Sequence, residues 1–83
     1  MEMTHENVAV IEFLTGAAQG LMGDRTGLDA PAGQLGYHTG TLTRLSMASP
    51  GTNDFKGVEA GPLANLLVAW AKGMQGAIQR SRV

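Results

Sequence analysis

The most constraining feature of this chain is a run of nine residues near its C-terminus, from Leu63 to Ala71, in which Asn65 is the only polar side chain. In a helix, this run is apolar on nearly every side rather than along one stripe, and such a helix needs burial on all sides. A chain of 83 residues has little material to surround it, because a domain of this size buries only about 60% of the surface it exposes when unfolded. The run therefore predicts self-association or a protein partner.

Composition leaves oligomerisation as the main way to stabilise so small a chain. Small domains often add disulfides, metal ions or further subunits to a marginal core. The sequence has no cysteine, which excludes disulfides and thiolate metal sites. Its two histidines, His5 and His38, lack the spacing of metal ligands. The sequence thus predicts no metal and no cofactor, and its first predicted partner is a second copy of itself.

The charge balance argues against nucleic acid and membrane partners. Six basic and seven acidic residues give a net charge of −1, so there is no bulk attraction to phosphate backbones or anionic lipid. Arg80 and Arg82 end the chain without interleaved aromatic residues. The apolar run is less than half of the roughly 20 residues that span a bilayer. Since no signal-peptide pattern opens the sequence, we expect a cytoplasmic protein.

Two long helices are predicted, over about residues 4–22 and 62–80, within one helical domain, 1–83. Thr4 is a candidate N-cap and Gly23 a candidate C-cap for the first, and Gly61-Pro62 is a typical helix start for the second. Acidic residues concentrate near the N-terminus and basic residues near the C-terminus. This distribution of charge has two explanations. Either the charges complement the helix dipoles, or the two helices pack antiparallel and bring opposite charges together.

Between these helices lies an irregular, glycine-rich middle, from Gly23 to Gly61, with eight of the twelve glycines. A helical period predicts a third helix over about residues 30–48, capped by Asp29 or Ala30. The period is formed by Leu35, His38, Leu42 and Leu45, which would leave His38 partly buried. The composition of residues 37–43 also suits a strand. Residues 49–59 are predicted as a loop with a turn at Pro50-Gly51. The fold class is therefore all-α, a small oligomeric helical bundle.

Small residues at spacing four mark surfaces where another backbone approaches closely. Gly16 and Gly20 form one such groove, and Ala69, Gly73 and Ala77 form a second stripe. Asn65 either fixes the register of an interface or marks the solvent side of a first helical turn. The predicted interface residues are Gly16, Gly20, Leu63, Asn65, Leu66, Leu67, Trp70, Gly73, Met74 and Ala77.

No enzymatic constellation is present, since the sequence lacks the common nucleophile, metalloprotease and phosphate-loop motifs. We therefore predict no enzymatic activity and no catalytic residue. A weaker pattern lies in the glycine-rich middle, where arginine forks and an aromatic ring suit an anionic, nucleotide-like ligand. The candidate ligand-binding residues are Arg25, Tyr37, His38, Arg44 and Lys56. Solvated charges on a loop-rich surface would give the same pattern.

Together these features predict a non-catalytic, homo-oligomeric binding or sequestering module. It would engage a protein partner or a small anionic ligand, as phage-type accessory inhibitors do; this last step is an analogy from size and missing chemistry. The alternative is a structural or assembly component of a larger particle, which would also need an apolar helix and small-residue packing.

Overall fold

The computed structural model of the chain describes residues 4–48 and 59–81. Within these ranges it contains three helices, α1 (His5–Met22), α2 (Pro31–Ala48) and α3 (Ala60–Ser81). The all-α prediction is confirmed, and the strand alternative for residues 37–43 is wrong, because that segment lies inside α2. The predicted loop at 49–59, with its turn at Pro50-Gly51, lies outside the described residues except for Glu59.

The ends of α1 follow from its capping residues. The Thr4 side chain accepts a hydrogen bond from the backbone N–H of Asn7 (3.1 Å), which satisfies one of the amides that a helix start leaves unpaired. Gly23 ends the helix in the left-handed region, at φ 74°, and its N–H bonds the last carbonyls. An αL C-cap favours glycine because a Cβ is strained in that conformation. Both caps were predicted.

Both α2 and α3 have a proline in their first turn. Pro31 is the first residue of α2, and the carbonyl of Ala30 accepts the first helical bond, from the N–H of Gln34 (3.0 Å). α3 begins two residues earlier than predicted, at Ala60, so that Pro62 lies in its first turn. Proline is tolerated there because the first amides of a helix have no intrahelical partner.

Glycines bring α1 and α2 into backbone contact. A Cβ on any of four glycines would overlap a carbonyl oxygen of the opposite helix. These glycines are Gly16, Gly20, Gly36 and Gly40, and the oxygens belong, in that order, to Gly33, Tyr37, Phe13 and Ala17. Such close approach places Cα–H groups against carbonyls, a weakly favourable contact. Residue numbers rise together across the contact, from Gly16 against Gly33 to Gly23 against Arg44, so α1 and α2 run in the same direction.

α3 packs antiparallel against a neighbouring face of α1. Ile11 contacts Ala71 and Ile78, whereas Ala18 and Leu21, further along α1, contact Ala64. On α3 the buried residues Ala64, Ala71 and Ile78 are seven positions apart and form one straight line. This geometry is the antiparallel arrangement that the charge polarity suggested. α1 is thus the central helix, with α2 on its glycine face and α3 on its apolar face.

The core formed by the described residues is small. Of the seven buried hydrophobic residues in the described part of the chain, four are alanines. Only two large side chains among them, Leu21 and Ile78, are almost fully buried, at 3% and 2% exposure. Large apolar side chains stay exposed on all three helices. None of the described helices combines the length and the hydropathy of a bilayer-spanning segment.

Candidate binding surfaces

One exposed apolar surface is an open groove beside Trp70, lined by residues of α1 and α3, which we call the tryptophan groove. It has a volume of about 570 Å³. Its lining residues are Val10, Leu14, Ala69, Trp70, Gly73 and Met74. Trp70 is 55% exposed and Val10 is 44% exposed. An exposed tryptophan among apolar neighbours is the type of residue that dominates binding at interfaces.

The helical period explains why Trp70 is left exposed. The line Ala64–Ala71–Ile78 faces α1, and Trp70 lies about 100° around the helix from Ala71. α1 covers only one side of α3, so the apolar arc beyond it, with Leu66 at 45% exposure, has no covering element among the described residues. The nine-residue run is therefore buried on one side and exposed on another.

The eight predicted interface residues on α3 are either exposed or partly buried. Leu66, Trp70 and Gly73 are exposed, whereas Leu63, Leu67 and Met74 are partly buried against the α1–α3 core and Ala77 is half-buried. Asn65 is exposed, on the same side of α3 as Lys72 and Gln79, seven and fourteen residues later. Asn65 also lies one helical turn before Ala69, which lines the tryptophan groove, so both roles of Asn65 stay predictions.

Gly16 and Gly20 require a correction. They do form a groove that another backbone enters, as predicted, but that backbone is α2 of the same chain. Since both are buried, they leave no surface for a second copy. The second stripe, on α3, is on the exposed side: a Cβ on Gly73 would meet no atom within 4 Å.

A second apolar surface, the leucine row, lies on α2 and was not predicted as an exposed site. Leu35 and Leu42 are one heptad apart, and Leu45 continues their line; their exposures are 61%, 65% and 57%. The row lies on the side of α2 opposite the buried Gly36 and Gly40. His38 belongs to the same period and is exposed, which corrects the expectation that it would be partly buried. The signal in the sequence was Gly36 and Gly40 at spacing four, which marks the packed face of α2.

Three of the five predicted ligand-binding residues share one cleft beside the α1–α2 connection. Arg25, Tyr37 and His38 line it together with Leu28 and Gln34, around a volume of about 360 Å³. The guanidinium carbon of Arg25 lies 5.4 Å from the centre of the Tyr37 ring, a cation–π distance. The His38 ring meets Tyr37 edge-on, at 6.2 Å between centroids. Two side chains able to carry positive charge thus flank one aromatic ring.

Hydrogen bonds hold the loop that carries Arg25. The side chain of Gln34 donates to the carbonyl of Leu28 (3.1 Å), and the side chain of Gln19 donates to the carbonyl of Thr26. The N–H of Thr26 donates to the carboxylate of Asp24 (3.0 Å). The side chain and the backbone of Thr26 together lower the pKa of Asp24, because hydrogen bonds to a carboxylate favour its charged form.

Arg44 and Lys56 do not join this cleft in the structure. Arg44 lies seven residues beyond Tyr37 on α2, and its Nη1 is 2.9 Å from the position of a Cβ on Gly23. Its charge therefore faces the C-terminal end of α1, which has no basic residue in its own last turn. This is the favourable end of the helix dipole for a cation. Lys56 lies outside the described residues.

Within the described ranges, no three His, Asp or Glu side chains converge as metal ligands would.

No protein-family model matches this chain, and no similar chain is found among curated proteins or solved structures.

Proposed function

We propose that this chain is a non-catalytic helical binding module that acts as a homo-oligomer through its exposed apolar surfaces. The observation that carries the proposal is Trp70, which is more than half exposed among apolar neighbours, while the core of the described part of the chain is mostly alanine. Isolated domains seldom leave several large apolar side chains of neighbouring helices in water.

The gain from covering the groove is large relative to the stability of so small a domain. Full burial of a large apolar side chain is worth about 1.5–3 kcal/mol. Trp70 and Leu66 are each about half exposed, so covering both adds roughly 2 kcal/mol per copy. A domain of this size has a total stability on the order of 4–12 kcal/mol. Association thus supplies apolar burial that the single chain lacks.

Light scattering after size exclusion, over a range of concentrations, tests this proposal. We expect a mass above that of the monomer, together with a blue shift of the emission of Trp70, the only tryptophan, as concentration rises. Trp70→Gln should reduce the mass, while Lys72→Gln, on the polar side of α3, should leave it unchanged. A wild-type monomer with red-shifted emission at every concentration would contradict the proposal.

The alternative, a structural or assembly component, is favoured by the presence of two separate apolar surfaces on one chain, because two such surfaces can propagate an assembly. The same scattering measurement separates the two. A discrete small oligomer supports the binding module, and growth of mass without limit supports the assembly component.

The cleft beside the α1–α2 connection supports a second candidate function, binding of a small anionic ligand with an aromatic ring. Arg25 and His38 can hold the anion, and Tyr37 can stack on the ring. Thermal-shift and calorimetric titration with mono-, di- and cyclic nucleotides tests this function. Binding should disappear in Arg25→Gln and persist in Arg80→Gln, at the far end of α3. If no nucleotide of the panel shifts the transition, this function is wrong.

A further inference from the structure

We propose that a cleft along α1 binds a small organic amine with an apolar body, and that the Glu12 carboxylate holds its ammonium group. The cleft, which we call the glutamate cleft, is made of two adjoining hollows of about 340 Å³ and 190 Å³, which share Ile11, Glu12 and Gln75. Sites for small molecules have volumes of about 300–1,000 Å³. No residue of the leucine row or the tryptophan groove lines either hollow, so this inference does not depend on the proposed self-association.

The helical period explains why the cleft lies where it does. Four residues of α1 that line it follow one another at spacings of four, three and four, and therefore form one line along the helix. They are Val8, Glu12, Thr15 and Gln19. This line runs between two packed faces of α1, because Gly16 contacts α2 and Ile11 contacts α3. The cleft is thus the seam that the two neighbouring helices leave open along α1.

The walls of the cleft come from the segments on either side of α1. One wall is the α1–α2 connection, at Gly27 and Leu28, and the other is α3, at Gln75 and Gln79. The side chain of Gln34 donates a hydrogen bond to the carbonyl of Leu28 (3.1 Å) and so ties the connection to α2. A wall that is held before the ligand arrives reduces the ordering cost of binding.

The charge of the cleft is negative and unpaired. Glu12 is the only charged side chain that lines either hollow, and among the described residues its half-buried carboxylate has no ion pair and no hydrogen bond. Arg25 lies against the Tyr37 ring instead, and Lys72, which is exposed, does not line the cleft. Removing a carboxylate from water is costly unless a cation or a donor pairs with it. An ammonium group supplies both.

Hydrogen bonds within the chain leave acceptors for that ammonium group. The hydroxyl of Thr15 donates to the carbonyl of Ile11 (2.9 Å), and the side-chain nitrogen of Gln19 donates to the carbonyl of Thr26. The single hydroxyl hydrogen of Thr15 is therefore used, whereas the oxygen atoms of both side chains can still accept. Both residues line the same hollow as Glu12. A ligand with several N–H groups meets acceptors there, and an anion meets a carboxylate.

The other end of the cleft selects an apolar body. Val8, Ile11 and Ile78 line the larger hollow beside Glu12. An amine that carries an aryl or alkyl group can cover these side chains while its ammonium group bonds the carboxylate. A metal ion would not use the apolar end and would need further ligands, and no three His, Asp or Glu side chains converge in the described part of the chain. The glutamate cleft therefore suits an organic cation.

Titration with phenethylamine tests the inference, with phenethyl alcohol and hydrocinnamate as neutral and anionic probes of similar shape. Because so small a probe makes few contacts, we expect a Kd on the order of 1–10 mM for the amine. Chemical shifts of the residues that line the cleft should move in nuclear magnetic resonance spectra. The alcohol should bind at least about tenfold more weakly, since it lacks the charge-assisted hydrogen bond, and hydrocinnamate should not bind.

Two variants locate the binding. Glu12→Gln keeps the shape of the side chain and should weaken the amine by about tenfold or more, to the level of the alcohol. Gln75→Lys, at an exposed position, places an ammonium group beside Glu12 and should abolish binding. Glu6→Gln is the matched control, because Glu6 is exposed on the same helix and lines neither hollow; it should bind as wild type does. Circular dichroism checks that each variant is folded.

The other outcomes contradict the inference. Equal binding of the amine and the alcohol would show that Glu12 recognises no charge, and equal losses in Glu6→Gln and Glu12→Gln would show attraction to acidic surface in general. Absence of amine binding to the wild type, together with a salt-dependent loss of stability in Glu12→Gln, would show that the carboxylate is paired within the chain. A monomeric wild type that binds the amine would overturn the proposed self-association alone.

Discussion

Replacing Gly36 by alanine should push α2 away from α1 and lower the stability of the fold. The new Cβ would overlap the carbonyl oxygen of Phe13, and it would lie 2.9 Å from both the Phe13 carbonyl carbon and the amide nitrogen of Ala17. These are backbone atoms, which cannot rotate away as a flexible side chain can. Since ordinary carbon contacts begin near 3.5 Å, α2 has to move outward by on the order of 1 Å.

The expected cost follows from two opposing effects. A gap of 0.5–1 Å forfeits about a quarter to a half of each dispersion contact, and overpacking of this kind costs about 1–3 kcal/mol, occasionally more. Alanine returns up to about 1 kcal/mol through its higher helix propensity. The steric cost dominates because four glycines share this contact, and a shift at Gly36 also loosens the other three. We expect a net loss of about 1–3 kcal/mol in unfolding free energy.

Urea and thermal unfolding followed by circular dichroism measure this loss. A change of 1 kcal/mol corresponds to about 4–8 °C in Tm for a domain of this size. Gly76→Ala is the matched control, since the only close neighbour of its Cβ is the flexible end of Arg80, at 3.3 Å; it should gain about 0.5–1 kcal/mol. Equal stability of Gly36→Ala and Gly76→Ala would refute the backbone contact between α1 and α2.

Three smaller effects follow from the same structure. Thr41→Val should raise the unfolding free energy by about 1 kcal/mol, because the buried Thr41 hydroxyl has no hydrogen-bond partner in the described part of the chain, whereas Thr43→Val should not, because its hydroxyl donates to the carbonyl of Thr39 (2.9 Å). Arg44→Gln should lower the unfolding free energy by about 0.3–1 kcal/mol at low salt and by less at high salt. Denaturant titrations at two ionic strengths measure this difference; equal losses at both would contradict the position of the Arg44 charge at the end of α1. Nuclear magnetic resonance should find the pKa of Asp24 below that of an unfolded aspartate. The contribution of Asp24 to folding stability is therefore present above the unfolded pKa and is lost as pH falls through the folded pKa. An unshifted titration would contradict the hydrogen bonds from Thr26.

Local signals predicted the elements well. The bounds of α1 and the start of α2 follow from the sequence, because each is marked by a residue type that favours a helix end: Thr4, Gly23 and Pro31. The start of α3 was set two residues late, because proline is tolerated anywhere in the first turn and does not fix its first position. The strand alternative for residues 37–43 was wrong, because tertiary packing of Gly36 and Gly40 against α1 outweighs local β preference.

The candidate sites were predicted less completely. Arg25, Tyr37 and His38 were grouped by composition, and the structure places them in one cleft. Arg44 was grouped with them for the same reason, yet the direction of α2 carries it to the end of α1. Composition shows which residue types a segment offers, whereas their distances depend on how the segment crosses its neighbour.

The sequence by itself determined that the helix around Trp70 is too apolar for a chain of 83 residues to bury completely. That conclusion needs only chain length and the period of a helix. Tertiary structure decided which side remains exposed: α1 covers the line Ala64–Ala71–Ile78 and leaves Trp70 at the groove. It also decided that Gly16 and Gly20 contact α2 of the same chain. The physical reason is that small residues at spacing four show that a backbone approaches closely, but only the path of the chain shows whose backbone it is.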